Sequence, residues 1–327
     1  MRRREFIILL GSAASTWPFA ARTQAGLRRV AVVMYYAQSD QAGQVLLKAF
    51  VETLARLGWS DGRNLVLDVR WVSGDVALYK SVAMDVTAAS PDVILVMSNP
   101  LLAQFQSLTK TIPIVFTSVS DSVGAGFVSN IAHPSGNITG FENFQPEIGG
   151  KWLGLLKEAS PGISRVGILL IPEISAQAAF RQKIEMAAPT LGMQATAIAV
   201  HNATEIEHGI ATFAEQPNGS LIVLPHPINQ QNRDLTIALA ARYRLPAIYP
   251  FRLYATSGGL IAYGFDQLEQ FRGAAGYVDR ILKGEKPADL PVQVPTKYDL
   301  VFNLKTAKAI GLVLSESLLV RADEVIE

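Results

Sequence analysis

The chain has 327 residues, 49% of them hydrophobic and 17% charged. That composition supplies buried sheets rather than disorder, and the length suits two α/β domains of roughly 100–200 residues better than one. A formal charge of +1 and the lack of any cysteine exclude a basic nucleic-acid footprint, disulfides, thiolate metal sites, thiol nucleophiles and a lipid-bearing cysteine.

The first element is an address. Arg2, Arg3 and Arg4 precede the apolar run 6–10, small residues follow to Ala14, then Trp17-Pro18-Phe19-Ala20-Ala21, and the segment closes at Thr23-Gln24-Ala25. This basic, apolar and small-residue order is that of a cleavable export signal over residues 1–25. The run RRREFI resembles the twin-arginine signal, with Arg3, Arg4 and Phe6 at the matching positions. Pro18 and Arg22 interrupt a stretch already short of the roughly 20 apolar residues needed to span a bilayer. Loss of the segment takes away a net +3 and leaves −2, so the expected mature protein is periplasmic, freely soluble and indifferent to nucleic acid.

Strand and helix patterns then alternate. Residues 30–34 form an apolar run without alternation, and 45–57 show helical spacing ended by Gly58. Residues 65–72 alternate as a strand, 76–89 read helical, and 93–97 suit a strand buried on both faces. Asn99-Pro100 opens a further helix and 113–117 gives a fourth strand. Four such units predict a doubly wound parallel sheet. From 118 to 144 Asp, Gly, Ser, Pro and Asn take over, and a first crossing between lobes is expected there.

A second series follows: helix 146–159, strand 166–170, helix 178–191, strand 194–200, helix 204–215, strand 221–224, helix 233–243 and strand 247–249. Residues 260–263 and helix 268–283 are expected to return to the first lobe. The stretch 286–296, with Pro287, Pro291 and Pro295, reads as another extended strap, before strand 300–303 and helix 304–310. The expected organisation is a first α/β lobe of 26–143 with about 260–290, and a second of 144–259 with about 291–327. Ligands of open α/β sheets bind at the carboxyl ends of the strands, which here face an interlobe cleft, and several straps permit hinge closure.

The blocks RVAVVMYY, LGWSDGRNLVLDVRW, SPDVILV, TIPIVFTSVSDSVGAGFV, GNITGF, LPAIYPF, YVDRILKGEKPADLPVQ and FNLKTAKAIGL together resemble the ABC transporter substrate-binding proteins of the tryptophan/tyrosine-binding type. The resemblance runs from about residue 29 to 327. It implies a type I periplasmic-binding fold, a ligand held between the lobes with aromatic amino acids or aromatic acids as its class, and permease and ATPase subunits in the inner membrane as partners. It also carries over Tyr35 and Tyr36 after the first strand and Thr117, Ser118 and Asp121 after the fourth.

The residues supply their own reasons. Ser98 and Asn99 stand where free N–H groups and a helix dipole favour a carboxylate or phosphate, or where a plain N-cap belongs. Thr117 and Ser118 offer hydroxyls, and Asp121 either pairs with a ligand ammonium or caps a turn. Tyr35 and Tyr36, as neighbours on a strand, are expected to point oppositely, one to the ligand and one to the lobe interior. Glu173 and His226 end strands of the second lobe, and Phe251 with Tyr254 forms an aromatic wall or a packed hinge contact.

Catalytic signatures are missing. No Gly-x-Ser-x-Gly elbow occurs; Gly124-Ala125-Gly126 lacks the third glycine of a dinucleotide turn; Gly149-Gly150-Lys151 lacks the upstream glycine and the hydroxyl residue of a phosphate loop. His133, His201, His208 and His226 are read as loop, surface or capping residues without metal-pair spacing. The reading is therefore a monomeric solute receptor, not an enzyme, with no cofactor or metal. A periplasmic sensory module of the same fold, or an exported α/β enzyme, is the alternative.

Overall fold

Strand β1 (Arg28–Met34) is buried over its last five residues, as an apolar run without alternation must be in a sheet covered on both faces. The computed structural model describes residues 27–327, and residues 1–25, read above as an export signal, lie outside them. Helix α1 (Gln41–Arg56), capped by the Asp40 carboxylate on Ala42 N, leads to β2 (Leu65–Trp71). Helix α2 (Val76–Ala88), capped by Asp75, leads to β3 (Val93–Met97), and α3 (Asn99–Leu108) leads to β4 (Ile114–Val119).

A fifth strand, β5 (Ile138–Glu142), occupies part of the stretch whose glycines and polar residues read only as a crossing. Gly140 is the reason for both observations. Its φ is 156°, and a Cβ there would sit 2.2 Å from the Phe116 carbonyl oxygen of β4, so the strand needs a residue that strand patterns normally avoid. The five strands run parallel in the order β2-β1-β3-β4-β5.

The second sheet is built from α4 (Ile148–Ala159), β6 (Arg165–Leu170), α5 (Ser175–Ala187), β7 (Gln194–Ala199), α6 (Ala203–Ala214), β8 (Gly219–Val223), α7 (Pro227–Gln231), α8 (Arg233–Arg242), β9 (Ala247–Tyr249), α9 (Arg252–Thr256) and β10 (Ile261–Gly264). After α10 (Gln267–Leu282) it is completed by β11 (Asp299–Asn303), α11 (Leu304–Ala309), α12 (Glu316–Val320) and β12 (Glu324–Ile326). Its order is β7-β6-β8-β9-β10-β11-β12, parallel except for the β10–β11 pair.

Two lobe assignments change. β10, expected to return to the first lobe, has Ile261 and Ala262 in register with Ile248 and Tyr249 of β9, so this strand stays in the second sheet and α10 alone returns, packing on α1 and β4. The second-lobe segment expected from about 291 begins later, because the strap 286–296 stays along the first lobe as far as Gln293 before it crosses. Val292 N donates to the Ile131 carbonyl at 2.8 Å and Gln293 N to the Gly140 carbonyl at 2.9 Å, because an extended proline-rich strap satisfies its backbone along the free edge of β5.

The chain thus crosses three times, at 143–147, 265–266 and 294–298, and each crossing contributes an aromatic ring to one knot. Phe144 packs against Phe265 with ring centroids 5.2 Å apart and against Tyr298 at 6.0 Å. It also touches Trp152 at 5.2 Å and Phe251 at 5.8 Å. Trp152 is fixed in turn by its indole N–H donating to the Tyr263 carbonyl at 2.9 Å.

The knot has no spare room at Gly264, where a Cβ would lie 1.8 Å from the Pro250 carbonyl oxygen and 3.3 Å from the Phe144 ring. Gly264→Ala is expected to destabilise the protein by roughly 1–3 kcal/mol or more through overpacking against backbone. A urea-denaturation midpoint equal to wild type would show that the crossing yields freely.

Candidate functional site between the lobes

Both sheets end at the same cleft. Its first wall comes from the carboxyl ends of β1, β3 and β4 and from the first crossing, through Tyr35, Ser98, Ser118, Ser120 and Asn143. Its second wall comes from the loops after β6, β8 and β9, through Ile174, Gln177, His226 and Phe251, with Pro225 and Pro227 flanking the histidine. The walls lie close together and leave a cavity of only about 20 Å³ between them, so the two lobes are nearly shut on each other here. The lobes touch across the mouth, where Gln231 Nε2 donates to the Ser73 carbonyl at 2.5 Å.

The first wall is strained and rigid. Ser98 has φ 80° and ψ 151°, Ser118 φ 55° and Asp121 φ 48°, backbone regions that non-glycine residues enter at a cost of order 1–3 kcal/mol each. Hydrogen bonds hold them there. Ser98 N donates to the Thr117 carbonyl at 3.1 Å, and Ser118 N donates to Gln270 Oε1 at 3.1 Å. Asn99 is bonded twice to Ser120, donating from Nδ2 to its carbonyl at 2.8 Å and accepting its N–H at 2.9 Å. Ser120 Oγ donates to Asn143 Oδ1 at 2.7 Å, tying this wall to the first crossing.

Within that frame the hydroxyls of Ser98, Thr117 and Ser118 are buried and have no partner among the described residues. Buried polar atoms are nearly always hydrogen-bonded, and leaving one unpaired costs about 1–3 kcal/mol. Ser98 begins α3 without capping it, so its hydroxyl remains free, while the Asn99 amide is consumed by the Ser120 clamp. Pro100 removes one N–H from the start of α3, which weakens that helix end as an anion site.

The tyrosines do not alternate as expected. They lie beyond β1, where the pleat no longer sets side-chain direction, and their carbonyls are held instead by Gly74 N and Ser73 N. Both are buried and their rings stack on each other, centroids 4.3 Å apart. Tyr35 lines the cleft, whereas Tyr36 lies behind it, facing a neighbouring chamber between the lobes.

Asp121 does not reach the cleft. Its carboxylate accepts the Gly124 N–H at 3.0 Å and closes a local turn. Glu173 also turns away and is exposed, pairing with His201 Nε2 at 3.0 Å while Glu205 takes Nδ1 at 2.8 Å. Hydrogen bonding first to Glu205 and then to Glu173 raises the His201 pKa, and the same contacts lower both carboxyls. His208, read as a loop residue, stands on α6.

His226 does line the cleft. It is buried, and its Nδ1 accepts the Ile228 N–H at 3.2 Å, which places the proton of the neutral ring on Nε2. Burial, with a smaller repulsion from His201, pushes its pKa down to about 3. Phe251 is buried against Phe144 and Phe265, so the cleft wall and the hinge contact anticipated for it are the same packing.

Several further residues escaped the sequence reading. Gln177 ties the two second-lobe loops together, its Oε1 accepting the Ile171 N–H at 2.6 Å and its Nε2 donating to the Pro225 carbonyl at 3.1 Å. Gln230, on α7, does not line the cleft but is buried with no partner for either amide atom among the described residues. No group of three or more metal-ligating side chains occurs among the described residues, and no described helix is long and apolar enough to cross a membrane.

The profile of the ABC transporter substrate binding protein family matches residues 30–326, almost all of the described chain. The chain belongs to that family. The tyrosine-binding protein of Clostridioides difficile (strain R20291) is 24% identical over 272 residues, covering 81% of this chain and 76% of that one. A solved structure of a conserved domain protein from Vibrio cholerae O1 biovar El Tor str. N16961 superposes with a TM-score of 0.85 at 26% identity, covering 91% of this chain and 99% of the other. An ABC domain from Streptococcus pneumonia, solved in complex with L-Trp, superposes at 0.84 with 22% identity and the same coverage. The tyrosine-binding protein and the L-Trp complex are solute-binding proteins rather than enzymes, and this substrate-binding protein shares the two-lobed, parallel-sheet fold of the solved structures.

Two outcomes test the site. Ser98→Ala is expected to leave stability unchanged or slightly raised without ligand, since it deletes an orphaned hydroxyl, and to weaken solute binding about tenfold; a loss of stability with unaltered binding would assign Ser98 a purely structural part. His226 has a folded pKa below its unfolded value of 6.5, so the unfolded chain binds the extra proton, and the stability conferred by the neutral ring is full above pH 6.5 and is lost as pH falls toward 3. Between about pH 6 and 4 the wild type should therefore lose up to ~1.4 kcal/mol per pH unit more than His226→Gln in urea titrations, and parallel pH profiles would refute it.

Proposed function

We propose that this substrate-binding protein is the exported solute receptor of an ABC importer, taking a small aromatic amino acid or aromatic acid between its lobes and delivering it to a membrane permease. The observation that carries this reading is the pair of buried, unpartnered hydroxyls of Ser98 and Ser118 that line the cleft; the Thr117 hydroxyl is buried and unpartnered as well but does not line it. They lack what a bound solute supplies. Tyr35 and Phe251 line opposite walls and offer aromatic surface for an aromatic body, and the His226 Nε2–H adds a neutral polar group from the second lobe.

The relatives support the ligand class, one being a tyrosine-binding protein and another having been solved with L-Trp. Export rests on the basic, apolar and small-residue order of residues 1–25, with the twin-arginine-like RRREFI as the route signal and the periplasm as the destination.

A thermal-shift screen of the purified chain against amino acids, aromatic acids, sugars and small organic anions tests the reading. A solute that binds only the folded state raises the melting temperature, by an amount that grows with its concentration over Kd. Selective stabilisation by aromatic amino acids or acids is expected. Stabilisation by sugars alone would retain the receptor and discard the ligand class, and a flat response to a broad solute library would discard the receptor.

A further inference from the structure

The cleft lined by Ser98, Ser118 and His226 contains no charged side chain, yet the ligand class proposed above carries a carboxylate. Charge is found next door. A wider chamber of about 460 Å³ between the lobes shares Tyr35 with the cleft and is lined on one side by Tyr36 and Asp40 of the first lobe and on the other by Gln231, Arg233 and Asp234 of the second.

Arg233 is badly placed for stability alone. It is the first residue of α8, where the helix dipole presents its positive end, so a cation there is repelled rather than held. Its Nε donates to Asp234 Oδ1 at 2.9 Å, but that carboxylate is largely exposed, while the arginine side chain is only 16% exposed. Its Nη1 is buried without any partner among the described residues.

The opposite wall presents a second unsatisfied group. Tyr36 is 3% exposed, and its hydroxyl likewise has no partner among the described residues. The ring is held by its stack on Tyr35 and by Gly43, where a Cβ would come within 2.7 Å of the Tyr36 Cβ and 2.9 Å of Trp71. Burial pushes the phenol up to about 12, with the neighbouring Tyr35 hydroxyl lowering it, Asp40 raising it, and Arg233 and Gln267 lowering it, so it remains a donor at neutral pH. Asp40 is committed as the cap of α1.

We propose that Arg233 and Tyr36, one from each lobe, form an anion subsite that receives the carboxylate of the bound solute, while its uncharged body lies in the neighbouring cleft. A buried phenol hydroxyl and a buried guanidinium Nη1, each without an acceptor, have the chemistry of a carboxylate site. The subsite rests on the receptor reading and assigns that receptor's charge selectivity.

Isothermal titration of the full chain with matched pairs tests it: L-tyrosine against tyramine, and L-tryptophan against tryptamine, with D-ribose and myo-inositol as neutral controls. Wild type should bind the carboxylated member roughly 10- to 100-fold tighter than its amine. Arg233→Gln should reduce that preference to within about threefold while leaving the amine affinity unchanged, and Tyr36→Phe, which keeps the stack and removes only the hydroxyl, should lower it about tenfold. Arg233→Lys, which retains charge without the fork, guards against a folding defect and should fall between the two. A preference that survives Arg233→Gln, or a wild type that binds amines or neutral polyols as tightly as acids, overturns the subsite and leaves the receptor standing. A wild type that binds no solute removes both.

Discussion

The aromatic knot around Phe144 is the constraint on which the two-lobed arrangement depends. Three strands cross between sheets that have otherwise separate cores, one centred on rings such as Phe50, Phe105 and Phe116, the other on Trp152, Phe180 and Tyr249. Without a shared contact, three extended crossings would leave the lobes free to wander. Phe144, Phe265 and Tyr298 bring one ring from each crossing into contact, and Phe251 extends the same packing to the cleft wall. Aromatic contacts of this kind contribute about 0.5–1.5 kcal/mol each beyond their burial. The cleft is thereby coupled mechanically to the hinge, since Phe251 cannot move without disturbing Phe144.

The polar frame continues this coupling on the first-lobe side. Gln270 of α10 accepts from Ser118 N and donates to the Glu142 carbonyl, so the helix after the second crossing holds both the strained end of β4 and the strand leading into the first crossing. The Glu142 carboxyl is itself buried, accepting from Ser122 N at 2.5 Å and from Gln145, and its burial raises its pKa. Strain at Ser98 and Ser118 persists because this network over-determines it. Its effect is to hold hydroxyls in fixed directions before any solute arrives, which lowers the ordering cost of binding.

Legibility in the sequence followed burial. The strands β1, β3, β4, β6 and β8 are fully or mainly buried apolar runs, and a run of that length between turn signals fits little besides a strand covered on both faces. β5 was hidden by the glycine it requires, and α7, α9, α12 and β12 are too short to show a period. At the site, Ser98, Ser118, His226 and Phe251 were visible because they directly follow strands or break a pattern there. Asp121 and Glu173 follow strands equally well, but each finds a local partner, a competition that depends on three-dimensional neighbours and not on position. Gln177 and Gln230 look like ordinary polar helix residues. Arg233 did leave a signal, since an arginine at the start of a predicted helix opposes the dipole preference and needs an acceptor from outside the helix.

Closure and recognition are one event if the solute must touch both lobes. A ligand shifts an open–closed equilibrium only by its differential affinity for the two states, so contacts confined to one wall would bind without closing. Here Ser98, Ser118 and Tyr36 stand on the first lobe and His226 and Arg233 on the second. The direct contact across the mouth is slender, a single amide bond from Gln231 to the Ser73 carbonyl on exposed chain. Such a bond contributes about 1 kcal/mol net and cannot by itself hold two lobes together. Under the proposed function the remaining closing energy comes from a solute that bridges the walls, where the Ser98 and Ser118 hydroxyls and the Arg233 Nη1 have no partner among the described residues. An empty protein buries such groups at a loss, so on that proposal the groups that receive the solute also disfavour closing without it.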